Sequence, residues 1–488
     1  MNIKKFLALF ICMLLIFGAT ACKSDSSDDF SSAVKSSNES ADEANNNANK
    51  GAKNKKSDKK SKKKSSNGEE NTDENSSKNK KSAEKTASKS KSASSSKKSV
   101  SKNTSSKKVS SEEEIVLTEK EKILFGLDEK MYPACLNNEG NSQRIANLMK
   151  KAQKGGHYVI AVLGGSISQG AGASIQENSY GYKVKSWWED NFPNAKFDFV
   201  NAGLGSTNPE MACYRIETDL LSYKPDFVVL DFAVNTYADS RLDLTYQTLI
   251  YRILSCSKDT ALMAIQFTNA DKKSLTSNKV QKGGTFPCSQ IFEAVEKYSI
   301  PSVSFHNYIW PLLNANKIRW QEIYSDYIHP NDDGHFMAAA MVNNHLKYVK
   351  NNLAKYNGKV PDVPSLPSDD YVKVNYITNS SSGVSAKDVQ VLSNNSTSSR
   401  GWKLNGKSGE IKVKLPDCKS AKLFVNMENC QGGLQITNGK TSQTINPSQA
   451  TTPMLVELQS GFKNSEIKIT PDLEAGTCTI FGIAIDKK

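Results

Sequence analysis

Five short apolar runs, at 158–163, 197–201, 226–232, 261–267 and 302–305, recur along the middle of the chain with amphipathic stretches between them. A run that is apolar throughout must be covered on both faces when it forms a strand. The intervening stretches, among them 209–223, 242–256 and 287–298, have the spacing of helices with one packed side. Strands alternating with helices pair in parallel, because each crossover returns the chain to the same edge of the sheet. The pattern therefore predicts an α/β fold, a parallel sheet between two helix layers. A last helix is expected over about 333–350, with Ala338, Ala339, Ala340 and Met341 on its packed side and His345 facing outward.

The period changes after the Pro-bearing stretch 361–370. Short alternating runs at 371–378, 410–415, 421–427, 432–437, 454–458, 466–470 and 478–485, separated by turn residues such as Asn438, Gly439 and Pro471, predict a small all-β sandwich. Two folded domains follow, 112–360 and 371–488. The second has no nucleophile–base pairing. Its only tryptophan, Trp402, is read either as core or as a sugar-stacking platform.

Residues 23–111 are almost wholly Ser, Lys, Asn, Asp, Glu and Ala, and cannot bury enough apolar surface to offset chain entropy. A disordered linker is expected there. Between Gly51 and Ser110 stand 19 Lys against 6 Asp plus Glu, an excess that equals the formal net charge of +13 for the whole chain. The folded remainder is therefore close to neutral. The basic tract has neither Arg nor interleaved aromatics, so nucleic acid is not an expected partner. Two readings stay open, attraction to an anionic envelope polymer or membrane surface, and a solvated spacer extended by its own charge.

At the start of the chain, Lys4 and Lys5 precede an apolar run over 6–17 and then Gly18, Ala19, Thr20, Ala21 and Cys22, the layout of a secretion signal. The run is shorter than the roughly 20 residues that span a bilayer as a helix. The ending Ala19 to Cys22 resembles the bacterial lipobox, with Ala19 where Leu is usual. The resemblance implies a signal peptide over 1–22, lipidation of Cys22 and a lipid anchor in the membrane. Ordinary signal cleavage, or an uncleaved anchor, with Cys22 unmodified is the alternative. The cysteines from Cys135 onward have no paired spacing, so neither a disulfide framework nor a zinc site is expected, and buried free thiols are.

Chemistry concentrates in two places. The first apolar run ends in Gly164, Gly165, Ser166, Ile167, Ser168, Gln169 and Gly170, where small residues surround one hydroxyl at a strand's carboxyl end. Such a turn suits an exposed nucleophile beside an oxyanion-binding N–H, and suits a phosphate loop equally. Far downstream stand Asp326, Tyr327, Ile328, His329, Pro330, Asn331, Asp332, Asp333, Gly334 and His335. A carboxylate three residues before a histidine can curl onto one side of a turn and fix the ring's tautomer, leaving Nε2 to take a serine proton. None of His157, His306 and His345 has an Asp so placed, and His335 is read as a capping or supporting group. A metal site of Asp326, His329, Asp332 and His335 is the competing reading, but no matching cluster appears elsewhere, and no metal or cofactor is expected.

Over roughly 141–350 the sequence resembles the SGNH (GDSL-like) hydrolases. Ser166 matches the nucleophile block, Asn201, Ala202, Gly203, Leu204, Gly205 and Ser206 the second, Asn235 the third, and Asp326 with His329 the fourth. The resemblance implies a flavodoxin-like three-layer sheet. It also implies a catalytic triad of Ser166, His329 and Asp326, and an oxyanion hole of the Ser166 N–H, the Asn235 amide and an N–H at Ser206 or Gly205. Gly165 stands where the family often has Asp, and Ala233 and Thr236 replace the usual neighbours of Asn235.

The expected activity is a serine esterase at the cell surface, removing short acyl groups, O-acetyl foremost, from a polysaccharide. A lysophospholipase or short-chain carboxylesterase, and a non-catalytic glycan-binding lipoprotein, are the alternatives. The sandwich is expected to position polymer; otherwise it covers an apolar face of its neighbour.

Overall fold

A computed structural model describes residues 117–236, 241–270, 288–392 and 401–488. The signal, Cys22 and the Lys-rich tract lie outside the described residues. In chain order the first domain comprises α1 (Glu119–Leu124), α2 (Met131–Cys135), β1 (Leu136–Asn138), α3 (Gln143–Ala152), β2 (Gly156–Gly164), α4 (Ser166–Gln169), α5 (Tyr180–Asn191), β3 (Ala195–Gly203) and α6 (Pro209–Asp219). It continues with β4 (Phe227–Asp231), α7 (Leu242–Cys256), β5 (Ala261–Gln266), α8 (Cys288–Lys297), β6 (Ser302–Ser304), α9 (Phe305–Asn314), α10 (Trp320–Ile323) and α11 (Asp332–Asn351).

The sheet order is β1-β6-β5-β4-β2-β3. Strands β2 to β6 pair in parallel, as the alternation predicts. The departure is β1, which runs antiparallel to β6 at the edge. It is short and carries two Asn, so it has no apolar run to betray it. Alternate strand residues serve opposite layers. Ile160, Val162, Phe227 and Val229 pack with α3, α5, α9 and α11, while Ala161, Leu163, Val228 and Leu230 pack with α6, α7 and α8. Helix α11 buries Met341, Val342, Leu346 and also His345, contrary to the outward placement expected for it. Position 345 follows 341 and 342 by four and three residues and so falls on the packed stripe. The polar ring is tolerated there because Tyr132 OH and Ser142 Oγ bond its two nitrogens, at 3.1 and 2.9 Å.

The second domain is an antiparallel sandwich. Its strands are β7 (Val374–Ile377), β8 (Val384–Lys387), β9 (Gln390–Leu392), β10 (Gly401–Asn405), β11 (Glu410–Lys414), β12 (Ser420–Asn426), β13 (Gln431–Thr437), β14 (Ser442–Ile445), β15 (Met454–Glu457), β16 (Glu466–Ala475) and β17 (Thr477–Asp486). One sheet has the order β15-β12-β17-β10-β9 with β7 paired to β17, and the other β14-β13-β16-β11-β8. Pro471, expected to end a strand, lies within β16. Trp402 is 1% exposed among Leu404, Ile411 and Cys478, so it is core and offers no platform to a sugar.

Strand β17 is buried on both faces. Ile480, Ile483 and Ile485 enter the sandwich core, whereas Phe481 and Ala484 join Phe424, Tyr371 and Tyr376 against Met211, Ile216 and Leu220 of the first domain. The sandwich thus covers an apolar face of the α/β domain. Polar contacts fix the register: Tyr214 OH donates to Asp486 at 2.6 Å and Tyr371 OH to Glu210 at 3.2 Å.

Candidate active site

The carboxyl ends of β2, β3 and β4 meet at one edge of the sheet, where open α/β folds place their ligands. Gly164 ends β2, Gly165 caps α4, and Ser166 is the first residue of that short helix. Its N–H therefore lies in a first turn, where no intrahelical acceptor exists. The chain leaves α4 through Gly170 at φ +106, a conformation that costs glycine nothing.

Beyond the sheet, the turn after α10 folds around Asp326. Tyr324 and Pro330 form an isolated bridge, and the Ser325 N–H donates to His329 O at 2.9 Å. Asp326 Oδ1 accepts from the N–H groups of Ile328 and His329, each at 2.7 Å. Asp326 Oδ2 lies 2.7 Å from His329 Nδ1, and His329 Nε2 lies 2.9 Å from Ser166 Oγ. The sequence-expected trio is thus brought together as one unbroken chain of hydrogen bonds. Burial opposes ionisation of Asp326, but bonds from the His329 ring and from the His329 and Ile328 N–H groups outweigh it and hold the carboxyl below its ordinary value. An ionised Asp326 keeps the proton on Nδ1 and the lone pair on Nε2, facing the hydroxyl.

The second block comes close to this serine, since a Cβ at Gly205 would lie 3.7 Å from the Ser166 Cβ. The Gly205 N–H is occupied, donating to Gln169 Oε1 at 2.8 Å. Ser206 holds φ 57, a left-handed turn that suits glycine better than serine. Asn235 ends a short 3-10 turn after β4, and its amide presses on Gly165: a Cβ at that position would meet Oδ1 at 2.1 Å. This explains the glycine where the family often has Asp, because with Asn235 so placed no side chain fits. The Asn235 Oδ1 is buried and has no hydrogen-bond partner among the described residues.

The other histidines are accounted for. His335 is buried, its Nδ1 accepting from the Tyr180 N–H at 3.3 Å and its Nε2 donating to Ala171 O at 3.1 Å; burial pushes its pKa down to about 4. With both ring nitrogens so engaged, it supports the loop that leaves α4. His306 and His345 are likewise pushed down by burial, to about 3 and about 4. His157 does have an aspartate beside it, Asp198 on the adjacent strand at 2.9 Å, but both are exposed and lie at the far end of their strands. Asp332, assigned to a metal in the competing reading, accepts from the Ser174 N–H and Oγ–H and from Asn178 at 2.6 to 2.9 Å, fastening the 170–178 loop beside His329. Among the described residues no group of His, Cys, Asp and Glu could hold a metal ion. Cys135, Cys213, Cys418 and Cys478 are buried free thiols, as expected; Cys256 is exposed and Cys430 half-buried, contrary to expectation.

Sequence reasoning missed the floor of the site. Ser168 Oγ lies 2.7 Å from Tyr180 OH and donates weakly to Asp231 at 3.5 Å, all buried beneath the Ser166 turn. Burial pushes Asp231 up to about 7, against the pull of the Ala233 N–H and Ser168. The available signal was a single carboxylate closing an apolar strand.

A parallel three-layer sheet with a serine, a histidine and an aspartate linked at its carboxyl edge defines a serine hydrolase. Residues 162–336 match the model of the GDSL-like lipase/acylhydrolase family, so this part of the chain is a GDSL-like (SGNH) domain acting on ester bonds. No curated protein matches the chain. Among solved structures, a two-domain esterase active on acetylated mannans, co-crystallised with mannopentaose, is similar at a TM-score of 0.59 and 24% identity, covering 73% of this chain and 98% of that one. A second structure of a two-domain esterase active on acetylated mannans has the same score and identity and is covered over 99% of its length. An acetylxylan esterase from Geobacillus stearothermophilus is matched at a TM-score of 0.32 and 15% identity, over 39% of this chain and 94% of that one. The first two show a shared two-domain fold.

Proposed function

We propose that this protein is an extracellular serine esterase that removes short acyl groups, O-acetyl foremost, from a polysaccharide. The observation that carries the reading is the relay from Ser166 Oγ through His329 to Asp326, with spacings of 2.9 and 2.7 Å. His329 Nε2 takes the hydroxyl proton as Oγ attacks the ester carbonyl, and Asp326 stabilises the resulting imidazolium. The oxyanion is held by the N–H groups of Ser166 and Ser206 and by Asn235 Nδ2. Gly205 is set aside as a donor because Gln169 already takes its N–H. When the tetrahedral species collapses, His329 returns the proton to the departing sugar oxygen, and water then releases the acyl group by the same steps.

The polysaccharide substrate is supported by the fold shared with an esterase active on acetylated mannans and by the export signal. Lipidation at Cys22 would hold the enzyme at the bacterial surface, with the Lys-rich linker letting it reach anionic envelope polymers. Acetate release from acetylated mannan and xylan by the mature chain tests the substrate, with Ser166→Ala as control. Activity retained by that variant removes Ser166 from the mechanism. Turnover of an aryl acetate without acetate release from either polymer points to a short-chain carboxylesterase, and turnover of neither to a binding protein. Cys22→Ser should move the protein from the membrane fraction to the medium; unchanged fractionation refutes the anchor.

A further inference from the structure

Arg215 lies on α6, 1% exposed, and takes no part in the relay. Its Nη1 donates to Ala202 O at 2.7 Å and to Asp219 Oδ2 at 3.1 Å, and its Nη2 to Gly164 O at 3.1 Å and Thr207 Oγ1 at 3.4 Å. Gly164 is the last residue of β2 and Ala202 the last but one of β3, adjacent parallel strands in which Leu163 pairs with Ala202 and Gly164 with Gly203. Gly164 lies two residues before Ser166, and Thr207 directly follows Ser206. One side chain therefore ties together the two turns that carry the nucleophile and the backbone oxyanion donor.

Only a guanidinium can do this, because its planar fork spans two acceptors at a fixed separation where an ammonium is a single point. A buried cation needs a buried anion. Asp219, one helical turn on, supplies it, and is itself held by the Thr218 hydroxyl at 2.9 Å. The sandwich closes the site: Tyr376 of β7 is buried close enough to Asp219 and Arg215 for both charges to act on its hydroxyl. The Arg215 Nε is buried with no hydrogen-bond partner among the described residues. The fork is thus directed at the two turns at the expense of its own third nitrogen, an arrangement that packing alone does not favour.

We infer that Arg215 is a positioning residue for ester hydrolysis, setting the distance between Ser166 and the Ser206 N–H, and that Asp219 orients it. This rests on the reading of Ser166 as nucleophile. An acyl carbonyl attacked by Ser166 must place its oxygen between the two turns, and a misplacement of about 1 Å there costs up to about 100-fold in rate.

The molecule contains its own control. Arg144 is also buried and gathers backbone carbonyls, those of Leu254, Ser257, Lys258 and Thr260, but at the far end of the sheet. In the mature full-length protein, at a temperature well below melting, Arg215→Lys should lower kcat on a small aryl acetate by about 10- to 100-fold with KM within about twofold. Arg144→Lys should lower the melting temperature and leave kcat unchanged. Wild-type kcat in Arg215→Lys overturns the inference, as does an equal fall in kcat for Arg144→Lys at equal loss of melting temperature. If Arg215→Lys does not fold, Asp219→Asn keeps the guanidinium but loosens its aim and should lower kcat several-fold; unchanged kcat there also overturns it. An inactive Ser166→Ala in the same assay sustains the esterase reading whichever way Arg215 falls.

Discussion

Two carboxylates stand near Ser166 in opposite surroundings. Asp326 sits in an open turn, its side chain 50% exposed, with three donors from its own neighbourhood that keep it ionised. Asp231 ends a central strand, wholly buried, with one backbone N–H at 3.3 Å and one distant hydroxyl, and burial raises it to about 7. The same functional group is thus held more readily ionised in one place and less readily in the other, by environment alone. The region that does chemistry is local and open. The region that fixes geometry is buried and assembled from distant parts of the chain.

The largest expected effect falls on the open side. Asp326→Asn should leave the fold intact and lower kcat by about 10⁴, because the amide favours the wrong histidine tautomer. A loss below about tenfold in steady-state assays would break the contrast drawn between the two carboxylates.

Next comes the long-range side. A chain ending at 360 would expose Met211, Ile216 and Leu220, now packed against Tyr376, Phe424 and Phe481. It should melt at lower temperature and lose aryl acetate and polymer activity together. A stable truncation that keeps the small ester and loses only the polymer would instead show that the sandwich positions substrate.

His335→Ala should cost less than Asp326→Asn. It leaves Ala171 O and the Tyr180 N–H without their present partner, a loss of roughly 1–3 kcal/mol in stability and no loss of the proton acceptor. Denaturant melts set beside kcat separate it from His329→Ala, which should abolish turnover.

The smallest effect concerns Asp231. Its folded pKa of about 7 lies above the unfolded value near 4. The folded chain therefore binds this proton more tightly, and stability from the group is full below about pH 4 and declines as pH rises towards about 7. Asp231→Asn removes that slope, so the melting temperature of the variant relative to wild type should rise by a few degrees from about pH 5 to about pH 8. A constant difference across that range would mean that Asp231 stays ionised in the fold.

Much of the site was legible because its chemistry is carried by short spacings. Asp326 and His329 are three residues apart, and the bonds that aim the carboxylate at the ring lie within the turn itself, although the Trp320 and Ala270 N–H groups also fasten the turn from outside. Gly164 to Gly170 announces a turn at a strand end in the same way. Arg215 and Asp219 were not legible: four residues apart on an amphipathic helix, they have the spacing of any surface ion pair, and only burial beneath the sandwich turns them into a clamp. His345 was misplaced, and the two readings of Trp402 stayed open, for a related reason, since an outward histidine and a platform tryptophan differ from buried ones only in what packs on them.

The sequence by itself determined the parallel sheet, its crossover helices, the following sandwich and the residue types of the relay, because apolar period and turn chemistry act over a few residues. The tertiary structure decided what rests on long-range packing. It brought His329 across 163 residues to Ser166, shifted the carboxyls of Asp231 and Asp326 in opposite directions, and laid β17 against both cores. Desolvation and contact depend on which surfaces meet, and no local pattern in the chain encodes that.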